Sequence, residues 1–328
     1  MFSHQADVVN CRVFERRRKG RGTGPLIHLV MAILMAPSAV LAQSRPGCTQ
    51  QPIDRRSLCY AFLQNGDIWS VCQGRRERIH FDRKLLDFAV STDGTYLAVQ
   101  ESLEQSWIGS TRQLLVSLNP PLKEKIRTGN YPDSLYATCG TIVSFDYPNR
   151  HAFDLINSQS MDTPPYKFFR CSSNRQVIAG WTEQDETEGK NRLRVTWSNE
   201  ITLRVSRGGK PSEFLIYNPD VFDVSPNGSY LAYFTVPKQG PGPKLCVAGP
   251  TGDASCVLHY GDAVSVSDAG DVFFWAGELG VLYWRSGLKR PLLLEKDKMN
   301  PRPQWITPQV AAALHRWNTR DSAGHSSP

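Results

Sequence analysis

The chain has 328 residues, is 40% hydrophobic and 21% charged, and carries a formal net charge of +7. That length and apolar content support a sizeable core, in one large or two ordinary domains, and exclude a chain disordered throughout. Residues 1–42 hold six Lys/Arg and two acids, so +4 of the +7 lies there and only +3 remains for the rest. No nucleic-acid partner is expected from so modest a charge.

Residues 1–42 have the layout of a secretory signal. Arg16, Arg17, Arg18, Lys19 and Arg21 form a basic head, no charge occurs from Pro25 to Ala42, and small residues Val40 and Ala42 mark an exit before Gln43. A retained anchor is the alternative, but the apolar part is short for a span of about 20 residues. After cleavage no membrane span is expected, and the localisation is secreted or periplasmic. Cys48 follows Arg45-Pro46-Gly47, which lacks the aliphatic residue of a lipoprotein signal. Residues 43–58 read as a linker or a ring-closing segment, with Gln50–Leu58 able to supply a strand to the last blade.

Between residues 59 and 300 one pattern recurs. Phe222–Phe234 (FDVSPNGSYLAYF), Phe88–Val99 (FAVSTDGTYLAV) and Val264–Ala276 (VSVSDAGDVFFWA) each carry an apolar run, a turn and a second apolar run. Weaker copies are Tyr60–Val71, Leu135–Phe145 and Phe168–Gly180. The turns fall at Asn65-Gly66, Asp93-Gly94, Gly140, Arg175, Asn227-Gly228 and Gly270, where Gly, Asn or Asp makes a positive φ cheap. Their mean spacing is about 41 residues, the length of a four-stranded propeller blade. The expected fold is all-β: a propeller of about six four-stranded blades, with seven as the alternative, and a short C-terminal helix.

The segments VSPNGSYLAY and VSTDGTYLAV resemble the WD40-like repeat of TolB-type propellers, with its V-S-P-D-G-x-x-I/L-A core. Three of the six units match strongly. Cys139 and Asn174 depart at the turn's acidic position, and Arg175 stands where the repeat has Gly. The resemblance implies a fold and carries no active site, because the motif's Ser, Asp and Gly hold the first hairpin of a blade.

Seven cysteines follow residue 42, an odd number. In Cys59–Cys72 the centre is Asn65-Gly66, so Gln64 and Asp67 pair beside the turn and the cysteines meet five steps out, at a non-hydrogen-bonded site with Cα atoms about 4.5 Å apart. Cys48 is the rival partner for Cys59. Cys246 and Cys256 flank a hairpin centred on Thr251. Cys139 and Cys171, in successive units, read as core thiols or as a bond between neighbouring blades.

No H-E-x-x-H, C-x-x-C, G-x-S-x-G or P-loop occurs, and no catalytic, cofactor or metal residue is assigned. Asp87, Asp223, His259 and Asp262, near blade starts, could converge on a central channel; ordinary strand-end polar residues are the competing reading. Glu183–Lys190 reads as a solvated hairpin tip, or else as an oxygen-ligand cation site. Trp107, Trp181, Trp275 and Trp284 read as core rather than as a sugar or peptide platform. Asn227-Gly228-Ser229 is a glycosylation triplet that the turn already explains. The tail, residues 301–328, begins a helix at Thr307 and Pro308, continues through Gln309–Trp317 with Val310, Ala311, Leu314 and Trp317 on one side, and turns disordered from Asn318.

The function expected is an exported binding or scaffold module for a protein or other envelope ligand, with no cofactor and an oligomeric state left open. The alternative is a secreted propeller hydrolase or lyase with its site at the channel.

Overall fold

A computed structural model describes residues 53–81, 83–103, 111–118, 125–129, 134–146, 151–161, 165–182, 184–185, 200–217, 220–235, 242–296 and 302–324. Six four-stranded antiparallel sheets follow one another along the chain. Blade 1 holds β1 (Cys59–Gln64), β2 (Asp67–Cys72) and β3 (Arg75–Ile79). Blade 2 is β4 (Leu85–Val90), β5 (Tyr96–Ser102), β6 (Thr111–Ser117) and β7 (Lys125–Gly129). Blade 3 is β8 (Ser134–Thr138), β9 (Thr141–Phe145), β10 (Ala152–Asp154) and β11 (Gln159–Ser160). Blade 4 is β12 (Phe168–Cys171), β13 (Val177–Trp181), β14 (Glu200–Arg207) and β15 (Lys210–Tyr217). Blade 5 is β16 (Phe222–Val224), β17 (Leu231–Thr235), β18 (Lys244–Ala248) and β19 (Ala254–Leu258). Blade 6 is β20 (Ala263–Val266), β21 (Val272–Trp275), β22 (Val281–Trp284) and β23 (Leu292–Glu295). The fourth strand of blade 1 is β24 (Gln304–Trp305), antiparallel to β1 through Tyr60↔Trp305.

The repeat's sequence is explained by its turn. In blade 5, Ser225 Oγ accepts from the Tyr230 amide at 2.9 Å, and Asn227 Oδ1 accepts from Ser225 Oγ at 3.0 Å and from the Ser229 amide at 2.8 Å. Ser91 and Asp93 do the same in blade 2, and Ser172 and Asn174 in blade 4. A side chain that satisfies amides two and five residues on fixes a turn from local sequence alone. The fourth turn position has positive φ: Gly94 +71°, Gly228 +77°, and in blade 4 Arg175 at 58°. A non-glycine there costs about 1–2 kcal/mol.

Two expectations are corrected. Asn65-Gly66 turns β1 into β2, which are the second and third strands of blade 1, so it is not a blade-opening hairpin. That one-strand offset shortens the step from Gly66 to Gly94 to 28 residues. The ring is closed by β24, while residues 53–58 form no strand and include a 3-10 turn, Arg55–Ser57. Residues 43–52 lie outside the described residues.

Hydrogen bonds, or in one case a disulfide, join every pair of neighbouring blades. Gln304 brackets Val90, accepting its amide at 2.9 Å and donating to its carbonyl at 2.6 Å, between blades 1 and 2. The Leu135 amide donates to Asp87 between blades 2 and 3. The disulfide Cys139–Cys171 joins blades 3 and 4. The Ser173 amide donates to the Pro226 carbonyl at 2.7 Å, between blades 4 and 5. The Asn227 amide donates to Asp268 at 2.8 Å, between blades 5 and 6. The Trp305 amide donates to Ser265 Oγ at 2.9 Å, from blade 1 to blade 6. Between these contacts the sheets pack through apolar faces, Trp181, Trp284, Phe168, Phe234 and Phe274 among the fully buried side chains.

The two hairpin disulfides form in the expected register. Cys59 opposes Cys72 and Cys246 opposes Cys256, each pair with Cα atoms 4.1 Å apart. Cys48 lies outside the described residues. The C-terminal helix α1 runs Pro308–Gly324, beyond the nine residues expected, so residues 318–324 are helical rather than disordered. Thr307 Oγ1 caps it by accepting from the Val310 amide at 3.2 Å. Val310, Ala313, Leu314 and Trp317 are buried against blades 1 and 2, with Trp317 stacked on Phe81 at 5.1 Å.

Candidate functional site

The inner strands β4, β8, β12, β16, β20 and β24 run in the same sense, each antiparallel to the next strand of its blade. Their first residues therefore gather at one mouth of the channel, here called the inlet. The channel holds a cavity of about 290 Å³. Its lining includes Tyr136 and Asp223, inside β8 and β16, and Asp220, Asp262 and Arg302, just before β16, β20 and β24. Three carboxyl groups thus face one cation among the described lining residues.

That cation is held. Arg302 Nη1 donates to Asp87 Oδ2 at 2.7 Å, and Nη2 donates to the Tyr136 hydroxyl at 2.8 Å. Asp87 also accepts from the Leu135 amide at 2.8 Å and from its neighbour Phe88 at 2.9 Å. Burial pushes the Asp87 carboxyl up, against the pull of Arg302 and these amides. Burial works against the charge on Arg302 too, but Asp87 and Tyr136 outweigh it and raise its pKa. The pair is an ion pair that ties the segment before β24 to blades 2 and 3.

A second cation lies behind the wall. Arg170, 1% exposed, stands in the middle of β12 and stacks on Tyr136 with Cζ 3.2 Å from the ring centroid; Phe168 lies at 4.4 Å and Phe222 at 5.7 Å. Its Nη1 donates to the Phe169 carbonyl at 2.9 Å. Burial lowers its pKa, while Tyr136 and Asp223 oppose that shift. Asp223 Oδ2 accepts from the Val266 amide at 2.9 Å, which joins blades 5 and 6. Burial raises its carboxyl to about 7 despite that amide and Arg170. Asp223 is therefore a carboxyl that lines the cavity and exchanges its proton near neutrality.

Of the four blade-start candidates, Asp223 and Asp262 line the cavity and Asp87 sits directly behind Arg302. His259 does not join them: its ring packs on Phe274 at 5.2 Å and its Nδ1 contacts the Tyr260 carbonyl. Tyr260 donates its hydroxyl to Asp262, and burial together with that carboxylate raises the hydroxyl pKa. Sequence reasoning passed over Arg302, Tyr136 and Arg170. An arginine inside the apolar run Phe168-Phe169-Arg170-Cys171 was the available signal, since a charge within a buried strand needs partners.

Other expectations resolve away from the channel. Asp185 is 1% exposed, accepts from Arg204 Nη2 at 2.9 Å and from the Thr182 amide at 2.9 Å, and these hold its pKa low in spite of burial. It anchors the chain inward, so the start of this segment is no solvated tip; residues 183 and 186–190 lie outside the described residues. Trp181 and Trp284 are buried in the core and Trp275 is half-buried, while Trp107 lies outside the described residues. Among the described residues no group of three His, Cys, Asp or Glu is placed to hold a metal ion, and no helix is long and apolar enough to cross a membrane.

No family model and no curated protein matches the sequence. Among solved structures, the chain is similar to the β-propeller domain of the Trilobed protease from Pyrococcus furiosus, reported with an open velcro topology. The two are 15% identical, the match covers 70% of this chain and 77% of that one, and the TM-score is 0.44. The propeller fold rests on the six sheets themselves.

Proposed function

We propose that the protein is an exported propeller that binds a basic segment of a protein partner at its inlet mouth. The observation that carries this reading is the charge balance there. Asp220 and Asp262 line the cavity beside Asp223, whose carboxyl exchanges its proton near neutrality, and the lining cation Arg302 is already matched by Asp87. A partner's Lys or Arg side chain would meet unbalanced negative charge in a recess that focuses it. Export is supported by the basic, apolar and small-residue layout of residues 1–42 and by three disulfides, which persist in oxidising compartments.

Titration calorimetry with an oligolysine peptide tests the reading. The wild type binds it, raised salt weakens binding, and the double variant Asp220→Asn with Asp262→Asn loses at least about fivefold in affinity, roughly 1 kcal/mol. Equal binding by the double variant, or equal binding of oligoglutamate, refutes it. One observation favours a second reading: a carboxyl with a pKa of about 7 that faces the cavity suits proton transfer, as a channel hydrolase or lyase would need. Turnover of a glycan, lactone or peptide that is abolished by Asp223→Asn would select that reading.

A further inference from the structure

The three disulfides differ in access. Cys139 and Cys171, which join blades 3 and 4 at the wall of the channel cavity, are only 3% and 2% exposed. Cys59 is buried and Cys72 half-buried. Cys246 is 1% exposed, inside the apolar cluster between blades 4 and 5, but its partner Cys256 is exposed. The hairpin pairs share a Cα separation of 4.1 Å, so the spacing of their strands does not separate them and access decides. Cys256 sits on β19, the outermost strand of blade 5, which has β18 as its neighbour in the sheet. Two residues from Cys246 on the same face, Lys244 pairs with Leu258, which places a cation diagonal to Cys256 across the strands.

We propose that Cys246–Cys256 is an exchangeable disulfide, with Cys256 Sγ as the site of attack by a thiolate of the small-thiol or cysteine-peptide class. The incoming sulfur forms a bond to Cys256 Sγ, and the Cys246–Cys256 bond breaks. Cys246 leaves with the electron pair and takes a proton from solvent. The product is a mixed disulfide on an exposed strand and a thiol held in the apolar seam. The buried thiol, once ionised, attacks back and restores the original bond, so exchange is reversible. Its position gives it reach: β19 leads through His259, Tyr260 and Gly261 to Asp262 at the inlet, so the bond fastens the strand that delivers that carboxylate. The inference stands on access and register, and holds whatever the mouth binds.

The test uses the full folded chain. Graded glutathione is added, the reaction is quenched with N-ethylmaleimide, and each cysteine peptide is read by mass, with circular dichroism recorded alongside. Glutathione on Cys256 and maleimide on Cys246 are expected before either other pair opens, while the spectrum stays native. Opening of Cys59–Cys72 or Cys139–Cys171 first, or opening only together with loss of the native spectrum, overturns the proposal. Single variants add an internal control. Cys256 in Cys246→Ser is expected to label at least about tenfold faster than Cys246 in Cys256→Ser, because access sets thiol reactivity. Equal rates overturn it, and if either variant fails to fold, the wild-type titration decides alone.

Discussion

Replacing Asp223 by Asn removes a charge while leaving an oxygen to accept from the Val266 amide, so it isolates the titration of one carboxyl. Burial raises that carboxyl from 3.8 to about 7. As pH rises from about 4, the unfolded chain gives up this proton first, while the folded chain keeps it until about 7. Over that window the folded state binds the extra proton, and wild-type stability falls relative to a variant that does not titrate. At about 1.36 kcal/mol per pH unit the loss is at most about 4 kcal/mol. Asp223 keeps some exposure to the cavity, so about 2 kcal/mol is the expected figure. At roughly 2 °C per kcal/mol for a chain of this size, the melting-temperature gap between Asp223→Asn and wild type should widen by about 4 °C between pH 4 and pH 7.5 and stay level above that. Differential scanning calorimetry across the range measures it. A gap that stays constant would show an unshifted carboxyl, and one that narrows as pH rises a carboxylate stabilised by its surroundings; either refutes the argument from burial.

Arg302→Met leaves Asp87 without its counter-charge; a loss of about 2 kcal/mol in urea unfolding is expected, with at least half recovered by adding Asp87→Asn. Gly228→Ala places a methyl carbon 2.6 Å from Val177 Cγ2 at φ +77°, so it should cost about 2 kcal/mol or more, whereas Gly252→Ala at φ +86° has open space and should cost about 1 kcal/mol. Equal losses in thermal unfolding would show that the blade 4–5 contact is not tight. Trp317→Ala removes the ring that seats α1 on Phe81 and should cost about 3 kcal/mol while making the helix the first site of limited proteolysis; unchanged cleavage would count against that packing.

What could be read from the chain follows from how local its cause is. In blades 2, 4 and 5 the Ser and Asp/Asn side chains of the turn satisfy amides a few residues away, so these turns are written in short stretches. The Cys59–Cys72 and Cys246–Cys256 registers follow from counting outward from a turn. Strand β24 has two residues and no alternation to recognise, and its partner β1 lies at the other end of the propeller sequence, so nothing local marks it as the closing strand. Gly66 misled because an Asn-Gly hairpin looks alike whether it joins the first two strands of a blade or the middle two. At the inlet, the acids at blade starts were visible as strand-end residues. The cations that give them meaning come from positions as far apart as Arg170 and Arg302, and only the ring brings those together.

The last inner strand of the ring follows every other strand of the propeller in chain order. Until Gln304 and Trp305 leave the ribosome and any export channel, β1 presents an unpaired edge and the two sides of the ring are unjoined. Their contact spans some 245 residues of chain, the kind of long-range closure that slows folding. The protein must therefore complete five blades and three strands of the sixth as an open arc, and a molecule truncated before residue 304 has no route to the closed form. Quality control that recognises exposed strand edges would find the propeller vulnerable until that strand emerges and pairs.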